Sequence, residues 1–236
     1  MPSIKLNRST LAEQVADVLI SRIQLDSLRP GDPLPSIAKL ADEFHVSKPI
    51  IREALKTLEG RDLIEVANGK TPIVKPISSN SLRLFFERAI ALDARSMIEL
   101  LEIRRGLEIQ SVLLAARNST VTETAQMRNL IADMRLHLND HEVYADLDLK
   151  LHLLIAFASR NTLMFHLVES VRDVLKDTIK EGLRSRITDE QLGYVQTLHE
   201  TIVDKVSQGD ADGAALAMAS HFDDAINAIY RSVLKP

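Results

Sequence analysis

Four side chains in the second half of the chain have the types and spacing to hold a metal ion. Asp148 and His152 stand four residues apart in DLDLKLHLL, so both project from one face of a helix. His199 takes a place in the stripe Val195, His199, Ile202, Val206, and His221 does the same in Ala214, Ala217, His221, Ala225, Ala228. Each histidine occupies a position that should be apolar. Buried polar groups need partners, and one carboxylate and three imidazoles converging from three helices satisfy one another best around a divalent cation. Taken singly, each histidine is also explained by a structural hydrogen bond. The other histidines lack such stripes: His45 lies in a turn, His137 and His141 flank a helix break at Asn139-Asp140, and His166 shares a face with Ser170, Asp173 and Asp177 and is expected to be exposed. Imidazole suits zinc first, with nickel or manganese as alternatives. Four protein ligands leave two positions of an octahedron for a small carboxylate or hydroxy acid. Arg104 and Glu108 fall on the stripe Met97, Leu101, Arg104, Glu108, Val112, Ala115, where the arginine could clamp that carboxylate. An intrahelical Arg104–Glu108 pair at a bundle's edge explains the same stripe equally well. Asn161 is a further pocket candidate that helix capping also explains.

A second chemistry lies near the N-terminus. In VSKPIIREALKTLEGRDLIEV, Ile50, Ile51, Ala54, Leu55 and Leu58 make an apolar stripe, while Lys48, Arg52 and Lys56 recur every four residues on another face. Such a helix fits a DNA major groove, where Arg and Lys read guanine edges or hold phosphates. A solvated charged face is the plainer alternative for any one helix. What precedes and follows it favours DNA. A short helix, 36–44, would brace it, and LIEV and TPIVKP read as strands joined at Asn68-Gly69-Lys70, a hairpin whose Gly69 and Lys70 approach the backbone or minor groove.

These elements sit in a chain of 236 residues with 45% apolar and only 4% aromatic residues, so aliphatic side chains must fill the core, which favours helices. With no cysteine there are no disulfides or thiolate ligands. No apolar run reaches membrane-spanning length and the first residues lack a signal-peptide core, so a soluble cytoplasmic protein without a membrane partner is expected. Net charge is −4, so any DNA contact must come from a local stripe. Ser9 or Thr10 caps a first helix to about Leu25, RPGDPLP breaks it, and Ser47 caps the charged helix, with Pro49 in its first turn. After the polar PISSN stretch the pattern is helical throughout, near 81–91, 94–117, 120–138, 142–159, 161–183, 188–208 and 210–233. Short connections make neighbours antiparallel. The expectation is a mainly α protein: a winged helix-turn-helix (1–76), a linker (77–81) and an all-α antiparallel bundle (82–236).

GDPLPSIAKLADEFHVSKPIIREALKTLEGRDLIEV resembles the winged-helix signature of GntR-family bacterial regulators over roughly residues 9–76. The resemblance implies DNA contacts at Lys48, Arg52 and Gly69. Two departures stand out. Ile37 and Ala38 replace the family's acidic residue and arginine after LPS, leaving Lys39 as the nearby cation, and His45 replaces the usual turn glycine. DLDLKLHLLIAFASRN, TLHETIVDKVSQGD and AMASHFDDAI resemble the ligand pattern of the FCD effector domain of FadR-type members, and ELLEIRRGLEIQSVLLAA its opening helix. This implies Asp148, His152, His199 and His221 as metal ligands, a small-acid effector, and a homodimer reading a palindromic DNA operator, with repression relieved by the effector. The alternative, a metal-dependent hydrolase or lyase with an accessory DNA-binding domain, lacks HExxH and a second carboxylate at a persuasive spacing. A bundle with a purely structural metal would leave DNA affinity indifferent to any effector.

Overall fold

The computed structural model describes residues 9–25, 28–67, 70–93, 95–184 and 188–233. The chain packs as two units, residues 1–81 and 82–236.

The first unit contains α1 (Leu11–Leu25), α2 (Ile37–Phe44), α3 (Lys48–Gly60), β1 (Ile64–Glu65) and β2 (Ile73–Val74). Thr10 starts α1: its hydroxyl accepts from Glu13 N–H at 3.2 Å, while Glu13 Oε2 accepts from Thr10 N–H at 2.7 Å. Ser36 caps α2 through Lys39 N–H. His45 ends α2 with φ 54°, a left-handed conformation that histidine tolerates better than most residues. Ser47 stands at the N-cap of α3 but its side chain makes no capping hydrogen bond, contrary to expectation; Pro49 is in the first turn as expected. Leu19, Leu34, Leu40, Ile51, Leu55, Leu58 and Ile64 form the core of this unit. The apolar stripe of α3 is spent there, and its cationic face is left outward.

β1 and β2 are antiparallel, with Ile64 opposite Val74 and Glu65 opposite Ile73. The stretch expected only to break the chain contributes a third edge to this sheet. Leu34 N–H donates to Pro72 O, Gly31 N–H to Val74 O, and Val74 N–H to Asp32 O, all at 2.8–2.9 Å. Gly31 has φ 93°, which explains a glycine at the entrance to that edge. The expected hairpin turn at Asn68-Gly69 lies outside the described residues.

Seven helices follow: α4 (Asn80–Leu92), α5 (Ser96–Asn118), α6 (Val121–Leu136), α7 (His141–Ala158), α8 (Thr162–Arg184), α9 (Asp189–Ser207) and α10 (Ala211–Val233). α4 begins at Asn80, inside the stretch expected to be linker. One of its serines has partners that composition does not reveal: Ser78 Oγ donates to Asp62 and accepts from Asn80 N–H at 3.3 Å. Capping boxes at Thr120–Glu123 and Thr188–Gln191 fix the starts of α6 and α9, and Asp140 accepts from Val143 N–H at the start of α7. The described residues between 82 and 233 therefore form an antiparallel helical bundle. α10 packs on α5 and α9, α7 on α6 and α8, and α5 crosses α7. Its main core draws Val112, Met127, Met134, Leu151, Ile155, Ile202, Val206, Met218 and Phe222 from these helices.

Candidate functional site

Asp148, His152, His199 and His221 are all buried, and one ligand atom from each lies within 4.8 Å of the others. α7 brings Asp148 and His152, α9 brings His199 and α10 brings His221. Asp148 Oδ1 is 2.9 Å from His199 Nε2 and 3.4 Å from His152 Nε2, and the two Nε2 atoms are 3.4 Å apart. His199 and His221 have ring centroids 4.4 Å apart. Donors about 2.1 Å from a common ion stand roughly 3–4.2 Å apart, so the side chains fit one cation with a contraction under about 1 Å. Among the described residues, four buried side-chain polar atoms have no partner, and two belong here: His221 Nδ1 and Arg172 Nε. The set is polar and converging, a donor set of the kind that could hold a divalent cation.

Around it lies a charged lattice. Glu108 Oε1 accepts from Arg104 Nε at 2.5 Å and from Arg172 Nη1 at 3.2 Å, and Glu108 Oε2 meets His152 Nδ1. Arg172 Nη2 donates to Asp148 Oδ2. The Arg104 guanidinium stands 4.9 Å from the centre of the Phe222 ring. The Arg104–Glu108 pair therefore exists, and it lies inside the bundle. Glu108 holds His152 by Nδ1, which leaves Nε2 facing the cluster. The expectation that Glu108 binds effector is not favoured by this arrangement, because its carboxylate is spent on two guanidinium groups and an imidazole. Asn161 is exposed, and its Oδ1 accepts from Met164 N–H at 3.1 Å, capping α8; the structure does not bring it into the cluster. His166 is half-buried where exposure was expected, with Nδ1 3.4 Å from Glu169 Oε2.

Sequence reasoning missed three residues. Arg172, with no side-chain exposure, interrupts the buried series Val168, Val171, Leu175 as the histidines interrupt theirs. Tyr144 stands four residues before Asp148 on the same face. Its hydroxyl lies 3.2 Å from His199 Nδ1 and donates to Gln196 Oε1 at 3.1 Å. Gln196 in turn donates to Ile131 O at 3.0 Å and to Glu200 Oε1 at 2.9 Å. The signal for each was a polar residue at a core position; none is a conventional ligand type beside a recognised motif.

Burial opposes ionisation of Glu108, but Arg104, His152 and Arg172 outweigh it and hold its carboxyl well below the usual range. For Asp148 burial is again outweighed, by Arg172 and His152 and by hydrogen bonds from His152 and His199. Burial lowers His199 despite Asp148. Burial, with His199 and His152 adding to it, pushes His221 well down. Both imidazoles are thus held neutral, the form that binds metals. The unfolded chain takes up these protons near pH 6.5 and the folded chain resists, so stability is lost as pH falls below about 6.5. The two carboxylates add a further loss only below about pH 4, where the unfolded chain protonates them. Urea unfolding of chelator-treated protein should show stability falling between pH 7.5 and 5.5. A flat profile would show that these histidines are not buried neutral.

In the first unit, Lys48, Arg52, Lys56 and Lys70 are exposed and line a groove of about 660 Å³ between α3, the start of α2 and the sheet. Glu59 is the one acidic residue of that lining. Lys39 is exposed on α2 but is not part of the lining. Gly69 lies outside the described residues. The groove presents four cations, three on α3 and Lys70 ahead of β2, an arrangement suited to a polyanion.

A small helix-turn-helix unit with a paired edge, followed by a helical bundle, is the architecture of a transcription regulator. Residues 11–74 match the bacterial regulatory proteins of the gntR family, and residues 99–224 match the FCD domain. The chain belongs to the GntR family and carries an FCD domain. It is 32% identical over 203 residues to the HTH-type transcriptional regulator LutR of Bacillus subtilis, covering 84% of this chain and 92% of that one. The Glc operon transcriptional activator of Escherichia coli is 29% identical over 182 residues, 75% and 71% of the two chains. A solved Streptococcus agalactiae GntR structure superposes with a TM-score of 0.72 at 22% identity, covering 92% and 99%, a likeness of fold. The protein is a transcription regulator. Its domains and these relatives are those of regulators, which overturns the hydrolase or lyase alternative. Among the described residues no helix is long and apolar enough to cross a membrane.

Proposed function

We propose that the protein is a metabolite-responsive regulator in which Asp148, His152, His199 and His221 hold a divalent metal, zinc first and nickel or manganese as alternatives. A small carboxylate or hydroxy acid binds beside it and alters operator affinity. The observation that carries this reading is the buried four-residue cluster with an unpartnered His221 Nδ1, set against two guanidinium groups. When bound, the ion supplies positive charge and open coordination positions for a carboxylate. Arg104 contributes a bidentate clamp, while Glu108 and Tyr144 orient His152 and His199. Residues 1–76 form the DNA-reading head, 77–81 its joint to the sensor, and 82–236 the sensor and dimerisation domain. Lys48, Arg52, Lys56 and Lys70 grip DNA, with Lys39 and Gly69 at its margin.

A homodimer presents two heads by twofold symmetry and so reads a palindromic operator in the cytoplasm. Effector binding shifts DNA affinity only if it distinguishes two arrangements of the dimer. Repression relieved by the effector is the simplest form of that coupling, although one relative is named an activator. The test is calorimetry of L-lactate, a small hydroxy acid, and a panel of other small carboxylates with as-purified and chelator-treated protein. At least one acid should bind, and chelation should weaken it by about tenfold or more, a common size for such coupling. Operator affinity with and without that acid gives the sign of regulation. Equal affinity of every bound acid for treated and untreated protein would remove the metal from the sensor.

A further inference from the structure

Arg172 is a fully buried cation that metal binding does not call for. Its guanidinium touches Asp148 by Nη2 and Glu108 by Nη1, and its Nε is buried with no partner. Asp148 offers Oδ1 to His199 and His152 while Oδ2 faces Arg172. The protein thus has two guanidinium groups, Arg104 and Arg172, against two carboxylates, Glu108 and Asp148, in one buried region. The four charges balance without any ion. A divalent ion added to neutral imidazoles leaves two positive charges uncompensated in a low-dielectric interior, where such an excess is costly. A carboxylate anion removes half of that excess, and the unpartnered Nε–H of Arg172 offers it a donor.

We infer that Arg172 makes occupation of the metal site conditional on an anion. It weakens the hold on a divalent ion when no anion is present, and it anchors the carboxylate whose arrival relieves the repulsion. The inference rests on the metal reading above and adds a regulator to it. The site reports metal and acid together, because linkage requires that each tighten the other by the same factor. Arg172 acts here through charge and through one donor, and the histidines need not move.

The test is zinc titration of chelator-treated full-length protein by calorimetry, with and without L-lactate. Lactate competes weakly for zinc in solution, so any rise in zinc affinity comes from the protein. In the unsubstituted protein, saturating lactate should tighten zinc by about tenfold. In Arg172→Met, which keeps volume and removes charge, zinc should bind about tenfold tighter without lactate, and the lactate effect should fall below about twofold. Arg172→Lys, which keeps the charge, should retain a lactate effect above that of Arg172→Met. Zinc affinity unchanged or weakened in Arg172→Met, or an undiminished lactate effect, would overturn the inference. If Arg172→Met does not fold, the unsubstituted protein decides together with Arg172→Lys. Zinc affinity indifferent to lactate overturns the inference; a lactate effect in the unsubstituted protein that Arg172→Lys retains supports it. A protein that binds no zinc in any buffer fails the metal reading itself. One that binds zinc without regard to lactate fails the coupling of metal to acid together with the role of Arg172. One in which lactate tightens zinc as much in Arg172→Met as in the unsubstituted protein fails only the role of Arg172.

Discussion

Arg52→Ala is expected to weaken operator binding by about 10–100-fold, the range for losing one bidentate contact to a base edge. Arg52 is the middle member of the Lys48, Arg52, Lys56 series, and it stands exposed on α3 while Ile51, Ala54, Leu55 and Leu58 on the other faces are buried. Among the described residues no ion pair is formed by its guanidinium, so the substitution breaks no ion pair and should leave the melting temperature within about 1 °C, as expected for an exposed site. The salt dependence separates two roles. If Arg52 holds a phosphate, the slope of log affinity against log salt falls by about one, and affinity drops alike on operator and random DNA. If it reads a base, the slope is kept and the loss is confined to operator. Fluorescence anisotropy with both DNAs at several salt concentrations distinguishes them. Unaltered affinity and unaltered slope together would remove α3 from the interface.

The groove and the metal-like cluster were legible in the sequence for one reason: a periodic pattern was broken by the wrong residue type. Lys48, Arg52 and Lys56 form a clean polar face on a helix whose other face is apolar. His199 and His221 are polar residues set where Val, Ile and Ala should be. Arg172 breaks its stripe in the same way, but its neighbours in sequence carry no motif, and its partners Glu108 and Asp148 come from α5 and α7, 64 and 24 residues away. Only tertiary packing joins them. The third edge of the sheet was illegible for a similar reason. Pro33 and Pro35 read as a break, and the pairing of 31–34 with 72–74 depends on the loop being returned to β2. Ser78 and Ser79 read as linker because serine is polar; Asp62, with φ 60°, is placed to engage Ser78 and Lys75 only once α3 has ended and the chain has turned. Asn161 caps α8 with its amide oxygen, the use that its place just before a helix offers first. Helix existence and order, by contrast, follow from local pattern and from caps such as Thr120 and Thr188, and these agree closely.

The double substitution His199→Ala with His221→Ala is expected to abolish stoichiometric metal. The remaining two ligands, Asp148 and His152, share one face of α7 and offer one donor atom each, Oδ1 and Nε2, their other atoms being engaged by Arg172 and Glu108, and two donors do not hold an ion stoichiometrically. Elemental analysis should fall from about one metal per chain, the count a single four-ligand site allows, to background. Metal-free folding is a separate matter. Two buried imidazoles become cavities, at a cost of about 2–5 kcal/mol each by analogy with large-to-small core changes, partly offset by removing the unpartnered His221 Nδ1. A melt alone therefore cannot report the site, but its zinc dependence can. A ligand that binds only the folded state stabilises it by about 2.7 kcal/mol at one hundred times its dissociation constant. Zinc should raise the melting temperature of the unsubstituted protein by several degrees and leave the double variant where it was. His166→Ala serves as the control: its ring is half-buried and faces Glu169, outside the cluster, so that variant should keep its metal and its response. Full metal retention by the double variant would place the ion elsewhere and with it the sensor; loss of metal from both variants alike would point to general destabilisation in place of ligation.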